Sequence, residues 1–494
     1  MADQVDPEGL DTATTVAKNS ASMLVVALLT RGTGLIVAVL VARYLGAAAL
    51  GTYAVVMGMM LLVEAIAPFG QRYVVIREVA RERSRLLAYW LNTSLTTAAF
   101  SVLLAGLLIL FIHLAGYDPS IRPSVYVVSL SLPVAGLYII AQAVLQGMER
   151  MEYLAIAALL GQVLGLLALW ILLEAGLGVV AAFWANGLSL LAGFIVLAWA
   201  IVRHGREHWA SRDLRLDLDL NRATLRVSFP FAVQQFLSLA LTRATVIILP
   251  LLLAMEAVGI FDAADRIRQT SAMIIPMITM ATLPTLSRKF LVNKERSEAL
   301  VERVLKFLLI LSLPFVLLTA ITADQIIPLF YGAGYQASVP LFRIVVWAQV
   351  FFVVDEALRQ HMMASNNEVP MVRRGAISLL ASILLTLGLA SVSGLVGAAW
   401  AVVLTRALNL ALDAQFVIKG GFRIRFVGTV GKPALCAILS GAVAFLLRHQ
   451  VLPVPLGCGL VTYVGLLLLL GTFSRSELLL MRQLPGRFWK RTEG

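Results

Sequence analysis

The chain has 494 residues, 60% of them hydrophobic and only 14% charged, whereas a soluble protein is about 45–50% apolar and about 25% charged. That excess of apolar residues excludes a soluble globular domain. The net charge of +12 raises nucleic-acid binding as a function class, and the position of that charge along the chain decides the matter.

Residues 1–19 form a polar, acidic tail (Asp3, Asp6, Glu8, Asp11) without the basic start of a secretory signal. A bilayer core about 30 Å thick needs roughly 20 apolar residues as helix, and stretches of that length then recur. The first six fall at 20–42, 48–70, 87–114, 123–147, 152–174 and 178–202. The first is followed by Arg43 rather than by a small-residue cleavage site, so it is expected to stay in the protein. A cytoplasmic linker over 204–226 follows. Its Leu214–Leu220 segment alternates like a strand, but with no partner strand it reads as an interfacial linker. Eight further spans lie at 227–254, 256–285, 304–330, 338–363, 374–393, 395–418, 430–449 and 456–473, ahead of a basic tail over 474–494. The expected fold is an all-α polytopic membrane protein with fourteen transmembrane helices.

With the N-terminus placed in the cytoplasm, thirty of the basic residues fall in inward segments. Residues near a span end being counted with the loop beside them, only Arg43, Arg122, Arg343 and Arg448 are outward, and the remaining six are assigned to the spans. This is the positive-inside pattern, repeated loop after loop, and it puts both termini in the cytoplasm. The charge sets orientation and does not bind nucleic acid.

The two halves of the chain echo one another across the linker. Leu29-Thr30-Arg31 is matched by Leu241-Thr242-Arg243, Gly51-Thr52-Tyr53 by Gly259-Ile260-Phe261, and Pro68 by Pro276. Ala181-Ala182-Phe183 likewise resembles Ala398-Ala399-Trp400. Six helices separate each pair, an even number, so the repeats are parallel. The expectation is an N-lobe over 20–203 and a C-lobe over 227–418, related by a pseudo-two-fold axis normal to the membrane. Helices 13 and 14 (419–473) form an appendage. A substrate cavity is then expected between the lobes near the midplane.

An arginine at the bilayer centre costs about 2.5–3.5 kcal/mol on the insertion scale. Arg31 lies about eleven residues into its span, roughly 16 Å deep, and Arg243 holds the matching depth in the second half. Together they suggest a cationic cavity for an anionic group, with Arg406 and Arg266 as further substrate-binding candidates. The opposing reading is ion pairing with Glu64, Asp262 or Asp413. Asp262, Asp265, Arg266 and Gln269 share a helix face, with Arg268 pointing away, and pairing within that face competes with a cavity role. Arg359 lies near enough to the inner end to snorkel. Glu64, Asp355, Glu356 and Asp413 are candidates for H⁺ or Na⁺ coupling, because burial opposes ionisation of a carboxyl. Gln71, Gln142, Gln146, Gln162, Asn186, Gln234 and Gln235 suit sugars, and equally suit helix-to-helix hydrogen bonding. Gly161 and Gly165 form a GxxxG that reads as close helix packing.

Enzyme chemistry has little to stand on. His204–His208 matches an inverted zinc-peptidase string, but in a basic linker with no third ligand it reads as chance. Gly332-Ala333-Gly334 follows a helix rather than a strand and reads as a turn, and there is no P-loop. Cys436 and Cys458, the two cysteines, lie in apolar stretches and offer no disulfide framework or thiolate site. No metal, no cofactor and no catalytic group is expected.

Several segments carry a family resemblance: Ala42-Arg43-Tyr44-Leu45-Gly46 with Leu50-Gly51-Thr52-Tyr53, Arg77-Glu78-Val79-Ala80, and Val258–Arg266. Leu283-Pro284-Thr285-Leu286-Ser287, Leu329–Tyr335 and Gly397-Ala398-Ala399 add to them. Over nearly all of 18–420 the chain resembles the polysaccharide and O-antigen flippase family of the multidrug/oligosaccharidyl-lipid/polysaccharide exporter superfamily. That resemblance implies two six-helix lobes plus two helices, alternating access, and movement of a polyprenyl-diphosphate-linked glycan to the outer leaflet of the plasma membrane. The cationic cavity residues would then be Arg31 and Arg243, with Arg406 a weaker match. Its implied partners are the anionic lipid-linked glycan, membrane lipids, and a polysaccharide polymerase with glycosyltransferases. Lipid II flippases, which share the helix count and the cationic cavity, are the alternative. A cation-coupled multidrug exporter or a non-transporting scaffold stands further off.

Overall fold

The computed structural model describes residues 7–205, 216–272, 275, 279, 294–364, 368–419 and 426–472. All of their regular structure is helical. The helices are α1 (Pro7–Ile66), α2 (Gln71–Arg81), α3 (Leu86–Leu114), α4 (Arg122–Gly147), α5 (Glu152–Glu174), α6 (Val180–Gly205), α7 (Leu218–Ile248) and α8 (Met255–Ser271). They continue as α9 (Lys294–Ile321), α10 (Ala323–Tyr331), α11 (Ser338–Val345), α12 (Ala348–Ala364), α13 (Glu368–Lys419), α14 (Phe426–Leu446) and α15 (Pro453–Leu469). Among the described residues, eight helical segments are long and apolar enough to cross a membrane. The chain is an all-α polytopic membrane protein.

Glycine conformation explains where some spans begin and end. α1 is broken at Gly46 (φ 83°) and α13 at Gly394 (φ 57°), so each long helix holds two of the expected spans. A positive φ is open to glycine and costly for other residues. Elsewhere the expected spans divide. The second ends at Ile66, and α2 follows after Phe69 and Gly70, both at positive φ. The ninth divides into α9 and α10, and the tenth into α11 and α12. Of the strand-like segment 214–220, the described part enters a helix. The Asp217 side chain accepts from the Leu220 amide at 2.9 Å and caps α7, while the Asp217 amide donates to Asn92 Oδ1 at 2.8 Å. Residues 206–215, 280–293 and 473–494 lie outside the described set, and with them most of His204–His208, the Leu283–Ser287 motif and the basic tail.

The chain divides into two compact units. The first holds Met1–Thr270 and Val369–Val402, and the second Ser271–Glu368 and Val403–Gly494. In the first, Val75, Val79, Tyr89, Val144, Leu154 and Leu197 bring α2 to α6 into one core. The GxxxG works as close packing there. A Cβ on Gly161 would meet the Ser189 carbonyl oxygen at 2.7 Å, so α5 and α6 approach backbone to backbone. A second close approach joins α1 and α8. A Cβ on Gly51 would overlap the Met255 carbonyl and lie 3.0 Å from the Gly259 nitrogen; one on Gly259 would overlap the Ala47 carbonyl and lie 2.9 Å from the Gly51 nitrogen. The two glycines that align as repeats therefore meet each other, with the same partners exchanged, about a local two-fold relation.

In the second unit, Leu305, Leu308 and Leu309 of α9 pack with Val353, Val354 and Ala357 of α12. α14 and α15 pack on α9 through Cys436, Tyr463 and Leu467, with Ser440 donating to the Gly459 carbonyl at 2.7 Å. Large apolar side chains stay exposed, including Val102, Leu103 and Leu107 on α3 and Trp170 on α5. In water such faces would drive aggregation; in a bilayer they face lipid.

Candidate functional site

The deep arginines divide by unit. Arg31, Arg243 and Arg266 belong to the first and Arg406 to the second. Arg243, on α7, packs its Cδ near Gly58 of α1, 3.9 Å from where a Cβ there would stand. Its Nε is buried with no hydrogen-bond partner among the described residues. Asp262, Asp265, Arg266 and Tyr53 lie within electrostatic reach of it.

Both aspartates pair within their own helix, Asp262 through Oδ2 only, its Oδ1 being buried with no hydrogen-bond partner among the described residues. Arg266 Nε donates to Asp262 Oδ2 at 2.8 Å, and its guanidinium lies 5.2 Å from the centre of the Tyr53 ring. Arg268 Nε donates to Asp265 Oδ1 at 2.6 Å, and Gln269 Nε2 donates to Asp265 Oδ2 at 2.7 Å. The expectation that Arg268 points away from this face is thus corrected: it is buried and closes an i, i+3 pair with Asp265. Pairing within α8 offsets two positive charges with two negative ones and leaves Arg243 as the uncompensated cation of the cluster. Arg31 is exposed and makes no hydrogen bond or ion pair among the described residues.

In the second unit Arg406 stacks over Phe352 at 5.2 Å. Asp355, buried on α12, has Asp413, Arg406 and Arg359 for electrostatic neighbours. Glu356 is fully engaged: Arg359 Nη2 and Nε both donate to its Oε2, and Thr279 donates to its Oε1 at 3.1 Å. Arg359 is therefore paired, whatever its distance from the interface.

Glu64 stands apart from every arginine pair named above. It lines a chamber of about 340 Å³ bordered by α1, α2, α4, α5 and α6. Gln142, Gln146, Gln162 and Asn186 line the same chamber, together with Thr30, Arg72, Tyr138 and Ser189. A second, smaller space of about 170 Å³ shares Leu61, Glu64, Arg72 and Ile139 with the first and reaches Gln235 and Leu239 of α7. Gln71 is used structurally, accepting from Thr97 at 3.3 Å. Arg72 is a half-buried residue of α2, with Nη2 3.5 Å from Gln146 Oε1. Spacing alone hides it, because α2 starts only after the break at Phe69 and Gly70.

Residues 16–290 match the model of a family described as polysaccharide biosynthesis protein. A protein of Escherichia coli (strain K12) assigned as an O-antigen transporter is 25% identical over 275 residues. The match covers 55% of this chain and spans 65% of that protein's length. Among solved structures, the lipid II flippase MurJ in an inward closed conformation is similar with a TM-score of 0.75 at 15% identity, covering 92% of this chain and 99% of that one. An inward-facing multidrug resistance MATE family transporter of the MOP superfamily is similar with a TM-score of 0.62 at 16% identity, covering 80% and 95%.

Proposed function

The chain belongs to the polysaccharide biosynthesis protein family, and on that premise we propose that it flips a polyprenyl-diphosphate-linked oligosaccharide from the inner to the outer leaflet of the plasma membrane. It works as a secondary transporter by alternating access of the two six-helix lobes, with both termini cytoplasmic. A polymerase and glycosyltransferases are its partners in building a surface polysaccharide.

The observation that carries this reading is Arg243: one cation of a buried cluster left without an ion-pair partner, its Nε unmatched. An uncompensated charge within a membrane marks a substrate path, and a guanidinium presents a planar fork suited to phosphate oxygens. Arg31, at the matching depth and exposed, supplies the second cation. Arg266 keeps its Asp262 pair and contributes orientation, and Arg406 is a further substrate-binding candidate. Asp355 and Asp413 remain candidates for H⁺ or Na⁺ coupling and Glu64 for H⁺, while Glu356 is held by Arg359 and Thr279.

Replacing Arg31 and Arg243 together with glutamine should abolish appearance of the glycan at the cell surface, with the protein still inserted at its usual level. Unchanged surface glycan in that double variant would sink the anion-site assignment.

A further inference from the structure

The chamber around Glu64 has a chemistry of its own. Two of its polar atoms are buried with no partner among the described residues: Glu64 Oε1, an acceptor, and Gln146 Nε2, a donor. Such atoms are costly to leave unmatched in a membrane. A metal cation would satisfy the carboxylate but offers nothing to an amide N–H, and the Arg72 guanidinium at the same wall repels it. An anion fits Arg72 and is repelled by Glu64. A neutral, polyhydroxylated ligand donates to the one and accepts from the other, and carboxamides both donate and accept. Met57, Met60 and Leu61 give the chamber an apolar wall, which suits the apolar face of a sugar ring. Its volume of about 340 Å³ lies in the range of small-molecule sites.

The chamber is also in the right place. Gly58, against Arg243, precedes Glu64 by six residues on one helix, about 9 Å along its axis. A diphosphate at Arg243 would leave its first sugars within reach of the space where Glu64 and Arg72 meet.

We propose that the Glu64 chamber is a saccharide-recognition subsite, in which Glu64, Arg72, Gln142 and Gln146 read the hydroxyl and amide groups of the glycan. The proposal rests on the flippase reading and adds to it the residues that set glycan specificity.

The test uses the full chain, purified in detergent, with Thr30→Cys placed at the chamber wall and Cys458→Ser removing the exposed native thiol. Labelling at position 30 by a water-soluble methanethiosulfonate is timed against a panel of free neutral hexoses and N-acetylhexosamines. At least one member should slow labelling about tenfold. Glu64→Gln and, as a second variant, Gln146→Ala should each raise the half-protecting concentration about tenfold, the scale of one buried hydrogen bond. Gly106→Ala on α3, which lines neither space and where a Cβ would meet nothing within 4 Å, should leave sugar protection as it is. No protection by any member, or equal protection in both chamber variants, means the chamber holds water only and overturns the proposal. Binding of undecaprenyl diphosphate, with and without an attached N-acetylglucosamine, separates the two readings. Sugar protection without lipid binding retains the subsite and overturns the flippase assignment. Lipid binding that ignores the sugar retains the flippase and overturns the subsite.

Discussion

Arginines deep in an apolar span are visible in a sequence; their partners are not. Depth matching brings out Arg31 and Arg243, and the structure separates them from Arg266 and Arg268, which are spent on Asp262 and Asp265. Helical spacing suggests the Asp262–Arg266 pair but misplaces Arg268, because its side chain folds back three residues to a carboxylate that spacing gives to another face. Asp265 and Arg268 are both buried, so each depends on the other. Arg268→Gln, by leaving a buried carboxylate with one partner fewer, should cost about 3–5 kcal/mol. Adding Asp265→Asn should recover part of that loss, read as the midpoint of thermal unfolding in detergent. Equal stability of the single variant and the native chain would show the pair to be idle.

At the scale of elements, Gly46 and Gly394 fall between spans that length alone separates, so those boundaries are legible. The breaks inside 304–330 and 338–363 are not, because apolar residues continue across them and periodicity carries no mark of a stop. Helix crossings are legible only where small residues are forced. Gly161 and Gly165 announce themselves by spacing; Gly51 and Gly259 show only as a repeat, and their mutual contact needs the fold. Gly51→Ala and Gly259→Ala should each lower thermal stability by about 1–3 kcal/mol through overpacking, and by similar amounts. Gly32→Ala, where a Cβ would meet nothing within 4 Å, serves as the control and should leave stability unchanged or raise it. A large loss in the control, or none at Gly51, would contradict the crossing.

For the whole molecule, composition is enough to give the class, since a chain so apolar has no soluble solution. The division into compact units is beyond sequence, because α7, α8 and part of α13 pack with the first six spans across a polar linker that invites a boundary. The gathering of Gln142, Gln146, Gln162 and Asn186 round one chamber is likewise a product of three helices meeting. Orientation, in contrast, is a whole-chain property of the basic residues and can be checked directly. In a Cys458→Ser background, Ser120→Cys should react with an impermeant maleimide on intact cells, whereas Glu149→Cys should react only after the membrane is opened. The reverse pattern would invert the topology.

The crossing of Gly51 and Gly259 has a consequence beyond stability. Each glycine sees the neighbours of its own counterpart, so the contact is of the isologous kind found at the centre of symmetric homodimers. A chain of half this length, with a single copy of the segment, would already possess the surface needed to pair with another copy of itself. Fusion of two such chains would join partners that already fit, and later divergence would be free to assign Arg243 and the Glu64 chamber to different tasks while the glycine crossing kept them in register.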